Sequence, residues 1–159
     1  HLLVEPPSEM IDQSIPRALF GALFEDLPHN QALQLAHRAG ALTGKYILAN
    51  RIPAPVRTLL RALPARFAAP LLLAAITRHA WTFAGSGVCT AEAGRPARIT
   101  IRANPLAMPD CAWHVGVFEV LFASLVSPHA QVGHHHGRAD DGAPCQFDID
   151  WRAKARADV

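Results

Sequence analysis

Asp110-Cys111-Ala112-Trp113-His114-Val115-Gly116-Val117-Phe118-Glu119-Val120-Leu121-Phe122 is the stretch on which the fold turns. Val115, Phe118, Phe122 and Leu125 recur at helical spacing, which predicts an amphipathic helix starting near Asp110. Asp110 follows Pro109 and is placed to cap it. The first turn then gathers a thiol, an indole and an imidazole. Trp113 reads as packing or as the wall of a site. His114, next to Cys111 and Trp113 at a helix start, points toward a pocket or a metal.

Upstream, the chain reads as helical. Leu19, Phe20, Leu23 and Phe24 predict an amphipathic helix over 15–27 that forms one wall of the core and is stopped by Pro28. A longer helix is predicted over 31–50, with Leu35, Ala39, Leu42 and Tyr46 on one face. Gly40 and Gly44 lie four apart on that helix and permit close approach of another backbone or of a flat ligand. Two more helices are expected over 56–63 and 65–79, separated by Pro64, with Pro70 kinking or restarting the second.

From Trp81 onward the pattern alternates. Residues 82–91 and 97–103 read as one antiparallel hairpin around the turn Ala93-Gly94-Arg95-Pro96. Residues 130–138 and 145–151 read as another, with Phe147, Ile149 and Trp151 alternating in its second strand. The expected architecture is therefore α+β, a helical N-terminal half packed on antiparallel β-hairpins. An N-terminal arm (1–15), a single domain (16–151) and a short tail (152–159) divide the chain.

Composition narrows the classes of function. In 159 residues, 50% are hydrophobic and 18% charged, and the mean hydropathy is +0.12. Such a chain must hide apolar surface in a core, a pocket, a partner or a membrane face. A net charge of +2 with dispersed arginines argues against nucleic acid as a partner. The most apolar run, 67–76, is interrupted by Pro70 and too short to span a bilayer, which leaves peripheral membrane contact open. Three cysteines cannot all pair, and no signal peptide is legible, so reduced thiols in a cytoplasm or a metal site are expected. The first residue, His1, is not a methionine, and the expectation is a trimmed form of a longer chain.

Two groups carry potential chemistry. Cys111, Cys145 and one or two of His134, His135 and His136 would make a site suited to zinc, clamping the last hairpin onto the start of the Asp110 helix. The plainer alternative leaves the histidines solvated and the thiols packed as small apolar groups. No dinucleotide fingerprint, P-loop or nucleophile elbow is present; Gly85-Ser86-Gly87 follows a strand pattern but precedes no helix. Glu92, Glu119, His79 and His114 are acid–base candidates, yet no spacing forces two of them together.

Three segments carry a family resemblance. Ala41-Leu42-Thr43-Gly44-Lys45-Tyr46-Ile47-Leu48-Ala49-Asn50-Arg51-Ile52-Pro53, Arg78-His79-Ala80-Trp81-Thr82-Phe83-Ala84-Gly85-Ser86-Gly87 and Cys111-Ala112-Trp113-His114-Val115-Gly116-Val117-Phe118-Glu119 together resemble the bacteriochlorophyll 4-vinyl reductase proteins, over about residues 16–151. The resemblance implies the vinyl-4-reductase domain, related to ligand-binding domains of nitric-oxide sensing and Golgi transport proteins. It implies a role in bacteriochlorophyll synthesis, in the cytoplasm or at the periphery of the photosynthetic membrane, with divinyl protochlorophyllide or a close relative as ligand. In related phenol-sensing activators, zinc is held by a Cys before the late helix, then by a Glu and two Cys in the last hairpin. Cys111 and Cys145 match the first and last of these and His134 falls near the Glu, while the remaining thiolate position falls near Gly137 or Arg138.

The expected function is that of a carrier presenting a magnesium tetrapyrrole to biosynthetic enzymes. Trp81, Phe83, Trp113 and Phe118 are the expected walls, and His114, or alternatively His79, the magnesium ligand, with an arginine answering a propionate. The alternatives are a reductase of the pigment's vinyl group using external NADPH, for which no donor site is legible, and a protein–protein adaptor. A homodimer stays open.

Overall fold

The computed structural model describes residues 12–135 and 143–152. It is α+β, as expected. Among the described residues, six α-helices, a 3-10 turn and four strands follow in the order α1 (Ser14–Asp26), α2 (His29–Asn50), α3 (Ala54–Ala62), α4 (Ala65–Arg78), α5 (Trp81–Ala84), β1 (Val88–Glu92), β2 (Ala97–Arg102), the 3-10 turn Pro109–Cys111, α6 (Ala112–Leu125), β3 (Gln131–His135) and β4 (Cys145–Asp150). The N-terminal arm, apart from its last residues, the turn at 139–142 and most of the tail lie outside the described residues.

The two predicted hairpins join into one antiparallel sheet of order β1-β2-β4-β3. Ile99 pairs with Phe147 and Ile101 with Cys145, while His134 pairs with Phe147 from the other side. The period of two puts Ala97, Ile99, Ile101, Cys145, Phe147 and Ile149 on one buried face. Arg98 and Asp148 project from the other and form a two-pronged ion pair at 2.7 and 3.1 Å.

Against that buried face lies α6, and it is not amphipathic. Trp113, His114, Val117, Phe118, Leu121, Phe122 and Leu125 are all buried, because α2 covers the side that the sheet does not. Phe118 is the hub, meeting Phe147 edge-on at 5.1 Å and Phe83 at 5.9 Å.

The face of α2 is the reverse of the one expected. Leu35, Leu42 and Tyr46 are exposed, while Ala32, Ala36, Gly40, Gly44 and Ile47 are buried. Here the backbones meet, so bulk is excluded from the contact. A β-carbon on Gly40 would strike the carbonyl of Trp113, and one on Gly116 the carbonyl of His37. At Gly44 it would come within 2.9 Å of Val120 Cβ. Of the two readings of Gly40 and Gly44, the approach of another backbone is the one realised.

Other boundaries are corrected too. No residue of α1 is buried, so it leans on the core through half-buried Phe20, Leu23 and Phe24 rather than walling it. Helix α4 runs through Pro70 without restarting. The first strand begins at Val88, not at Thr82: Thr82, Phe83 and Ala84 still donate to the carbonyls of His79 and Ala80, continuing the helical path until Gly85 breaks it at φ 53°.

Candidate functional site

The start of α6 is unlike a capped helix. Asp110 and Cys111 adopt φ of 54° and 41°, the left-handed region that non-glycine residues avoid, and no side chain caps the turn. The expected Asp110 cap is thus absent; the residue turns the chain instead. Two adjacent strained residues persist only where surrounding structure holds them, a pattern concentrated at functional sites.

What the turn accomplishes is to deliver the Cys111 thiol to β4. Cys111 Sγ donates to Cys145 Sγ at 2.7 Å, in a buried position. Cys111, Cys145 and His134 converge, with one ligand atom from each within 4.8 Å of the others. Asn104 donates its side-chain N–H to Cys145 Sγ at 3.4 Å, and Nε2 of His134 is buried without a partner. The Cys145 thiol is pulled below its ordinary value, first by the hydrogen bond from Cys111, with His134 and Asn104 adding to it against the opposing effect of burial. Cys111 is driven up, as the proton-holding member of the pair. Cys89 stands apart, pushed up to about 11 by burial alone.

His135 turns to the outer face of the sheet, 3.4 Å from Asp148, and His136 lies outside the described residues. A shallow depression of ≈ 530 Å³ between α2, α6 and β3 reaches His134, with His37, Asp110 and Val115 on its rim. His37, which no motif singled out, donates to Glu119 at 2.7 Å and ties α2 to α6 at their exposed edge.

The second candidate site is an apolar groove of ≈ 270 Å³ at the other end of α6. Ile47 of α2 with Arg51 and Ile52 just beyond its end, Leu72 and Ile76 of α4 with His79 just beyond its end, Trp81 and Phe83 from α5, and Leu121 from α6 line it. The sequence-predicted residues therefore divide. His79, Trp81 and Phe83 share the groove, whereas Trp113, His114 and Phe118 are core residues behind it. His114 is fully buried, donates from Nε2 to the Phe83 carbonyl at 3.0 Å, and leaves Nδ1 without a partner. Burial lowers its pKa to about 4.

Arg51, Ile47, Leu72 and Ile76 were not among the residues read from sequence. Their signal was present in the i, i+4 pairs Ile47/Arg51 and Leu72/Ile76, which set two residues side by side on each helix.

A four-stranded antiparallel sheet covered by one largely buried helix, with a Cys2His cluster at the start of that helix and an apolar groove at its far end, defines a small α+β protein with two separate candidate binding sites. The chain belongs to the family of the bacteriochlorophyll synthase 23 kDa chains. It is 42% identical over 157 residues to the protein of that name from Rhodobacter capsulatus, covering 96% of this chain and 73% of the relative. To its counterpart from Cereibacter sphaeroides it is 41% identical over 150 residues, covering 91% and 72%. No protein-family model matches the chain.

Proposed function

We propose that the protein takes part in bacteriochlorophyll synthesis by binding a magnesium tetrapyrrole, such as divinyl protochlorophyllide, and presenting it to the enzymes that act on it. The names of the relatives support the pathway. The groove supports the ligand class: aromatic and aliphatic walls hold one cation, Arg51, and one imidazole, His79. A flat apolar macrocycle calls for such walls, its carboxylate for a guanidinium, and its magnesium for a ring nitrogen.

The size of the groove favours presentation over enclosure. At ≈ 270 Å³ it falls just below the range of about 300–1,000 Å³ in which small ligands are engulfed. One edge of a tetrapyrrole would seat against Trp81 and Phe83, leaving the remainder outside for a partner enzyme.

The Cys111, Cys145 and His134 cluster is proposed as a structural zinc site. Two sulfurs and a buried, unpartnered imidazole nitrogen suit zinc, and the proton that Cys111 shares with Cys145 is what a cation would displace. Bound there, zinc would join the start of α6 to β3 and β4.

The test is a titration of the purified protein with divinyl protochlorophyllide, followed by absorption, then NADPH, with analysis of the extracted pigment. A saturable band shift with unreduced pigment is the expected result. A monovinyl product would replace this reading with the 4-vinyl reductase one, and the lack of any shift would remove the groove as a pigment site.

A further inference from the structure

A helix on the surface of a globular domain keeps its polar side outward, and α4 does not. Its inner face buries Ala68, Ala69, Leu72, Leu73 and Ile76, yet Phe67, Pro70, Leu71 and Ala74, at spacings of three and four, are exposed as well. Phe67 is 52% and Leu71 51% accessible. The preceding helix adds Val56 and Leu59, and Trp81 follows just beyond the C-terminus of α4.

Charge in this region has one sign. From Leu27 to Ala91 the sequence contains no aspartate or glutamate, while Arg51, Arg57, Arg61, Arg66 and Arg78 all fall on or beside α3 and α4. The acidic residues are confined to the two flanks of that stretch. Thus the arginines are dispersed along the chain but unopposed over the helices that carry the exposed apolar residues. Arg66 and Arg78 bracket the α4 stripe, and the Arg66 guanidinium stands 4.8 Å from the centre of the Phe67 ring.

From this combination we infer that α3, α4 and Trp81 form a docking surface for an anionic lipid bilayer, with Phe67, Leu71 and Trp81 entering the interface and Arg66 and Arg78 meeting the lipid phosphates, while Arg57 and Arg61 are tied to the carbonyls of Leu48 and Ser124. An apolar strip flanked by cations is the pattern of a helix that lies in a membrane interface. A second copy of the chain suits it less well. Stable interfaces recruit about 20–30 residues a side, and the α4 stripe from Phe67 to Ala74 is only about 10 Å long at the helical rise. Among the described residues no helix is long and apolar enough to cross a membrane, so attachment by this face would be peripheral. Trp81 is shared with the groove, whereas Arg66, Phe67, Leu71 and Arg78 do not line it, so the stripe and its flanking cations can be tested apart from whatever the groove binds.

The experiment is co-sedimentation of the full chain with phosphatidylcholine vesicles, with or without about one third phosphatidylglycerol, at low and high salt. Binding to the anionic vesicles is expected, falling at least about tenfold on neutral vesicles or in high salt. Phe67→Asp and Leu71→Asp should each weaken it comparably without changing the melting temperature, since both side chains are exposed. Arg66→Glu and Arg78→Glu provide a second pair that leaves the apolar stripe untouched. Trp81 fluorescence, read against a Trp81→Phe control, should shift to the blue on binding. Failure to bind anionic vesicles, unchanged binding by both pairs of variants, or a concentration-dependent dimer that Leu71→Asp dissolves would each overturn the inference.

Discussion

The carbonyl of Trp113 lies against Gly40, in the space that a β-carbon would fill. One hydrogen atom therefore sets the separation of α2 and α6. Gly40→Ala should destabilise the protein by roughly 1–3 kcal/mol, the ordinary range for overpacking a rigid contact. Gly21 is the control: it is exposed on α1 with nothing within 4 Å of a built β-carbon. There the same substitution should stabilise by up to about 1 kcal/mol, through helix propensity alone. Urea denaturation of both variants checks the contrast, and equal effects would refute the account of the interface.

Zinc at the Cys111, Cys145 and His134 cluster would appear as roughly one metal per chain in elemental analysis. At free metal a hundredfold above Kd, the stabilisation is about 2.7 kcal/mol, a rise in Tm of roughly 5–10 °C for a chain of this size. Cys145→Ser and His134→Ala should lose both the metal and the response to chelator. A metal-free wild-type protein whose Tm ignores added zinc would return the thiols to simple packing.

Pigment affinity should respond to His79 and Arg51 and not to His114. Removing a charged hydrogen-bonding partner costs about 1.5–3 kcal/mol, so Arg51→Ala should raise Kd roughly tenfold to a hundredfold. His79→Ala should weaken binding and move the bound absorption band. His114→Gln, behind the Phe83 wall, should leave the band in place. The reverse ranking would relocate the site to the interior of the fold.

His114 should make the protein acid-sensitive. Its folded pKa is lowered to about 4 from 6.5, so below pH 6.5 the unfolded chain binds the proton more readily than the folded one. Stability contributed by the neutral ring is complete above pH 6.5 and declines as pH falls toward 4. The loss is of order 3 kcal/mol, given 1.36 kcal/mol per unit. His114→Gln retains an N–H for the Phe83 carbonyl but cannot titrate, so its denaturation midpoint should vary less over that interval. Parallel pH curves for the two proteins would show that other groups dominate.

The legibility of this fold from its sequence depended on what each element packs against. Strands were readable because a sheet with one buried face enforces alternation, as Phe147 and Ile149 demonstrate. Helix boundaries were marked by Pro28, Pro53 and Pro64. The packing face of α2 was misread because apolar periodicity finds large side chains, whereas this contact is made by glycine and alanine with the neighbouring backbone. Cys111 and Cys145 could be paired in thought, but 34 residues separate them, and only the left-handed turn at Asp110 and Cys111 brings them together. The groove is legible in part: His79, Trp81 and Phe83 stand out in the sequence as an imidazole and two large aromatic rings, while Arg51 lies just past the end of α2, whose large apolar residues mark its exposed side.

The close approach of α2 and α6 also has a mechanical meaning. Where Gly40 meets the carbonyl of Trp113 and Gly116 that of His37, there is no bulky layer to slide or repack, so Ile47 and Leu121, with Arg51 just past the end of α2, form the anvil of the groove. Its other side, Leu72, Ile76, His79 and Trp81, hangs on α4 and α5. Any widening to admit a broad, stiff guest must come from that side, the hammer of the pair.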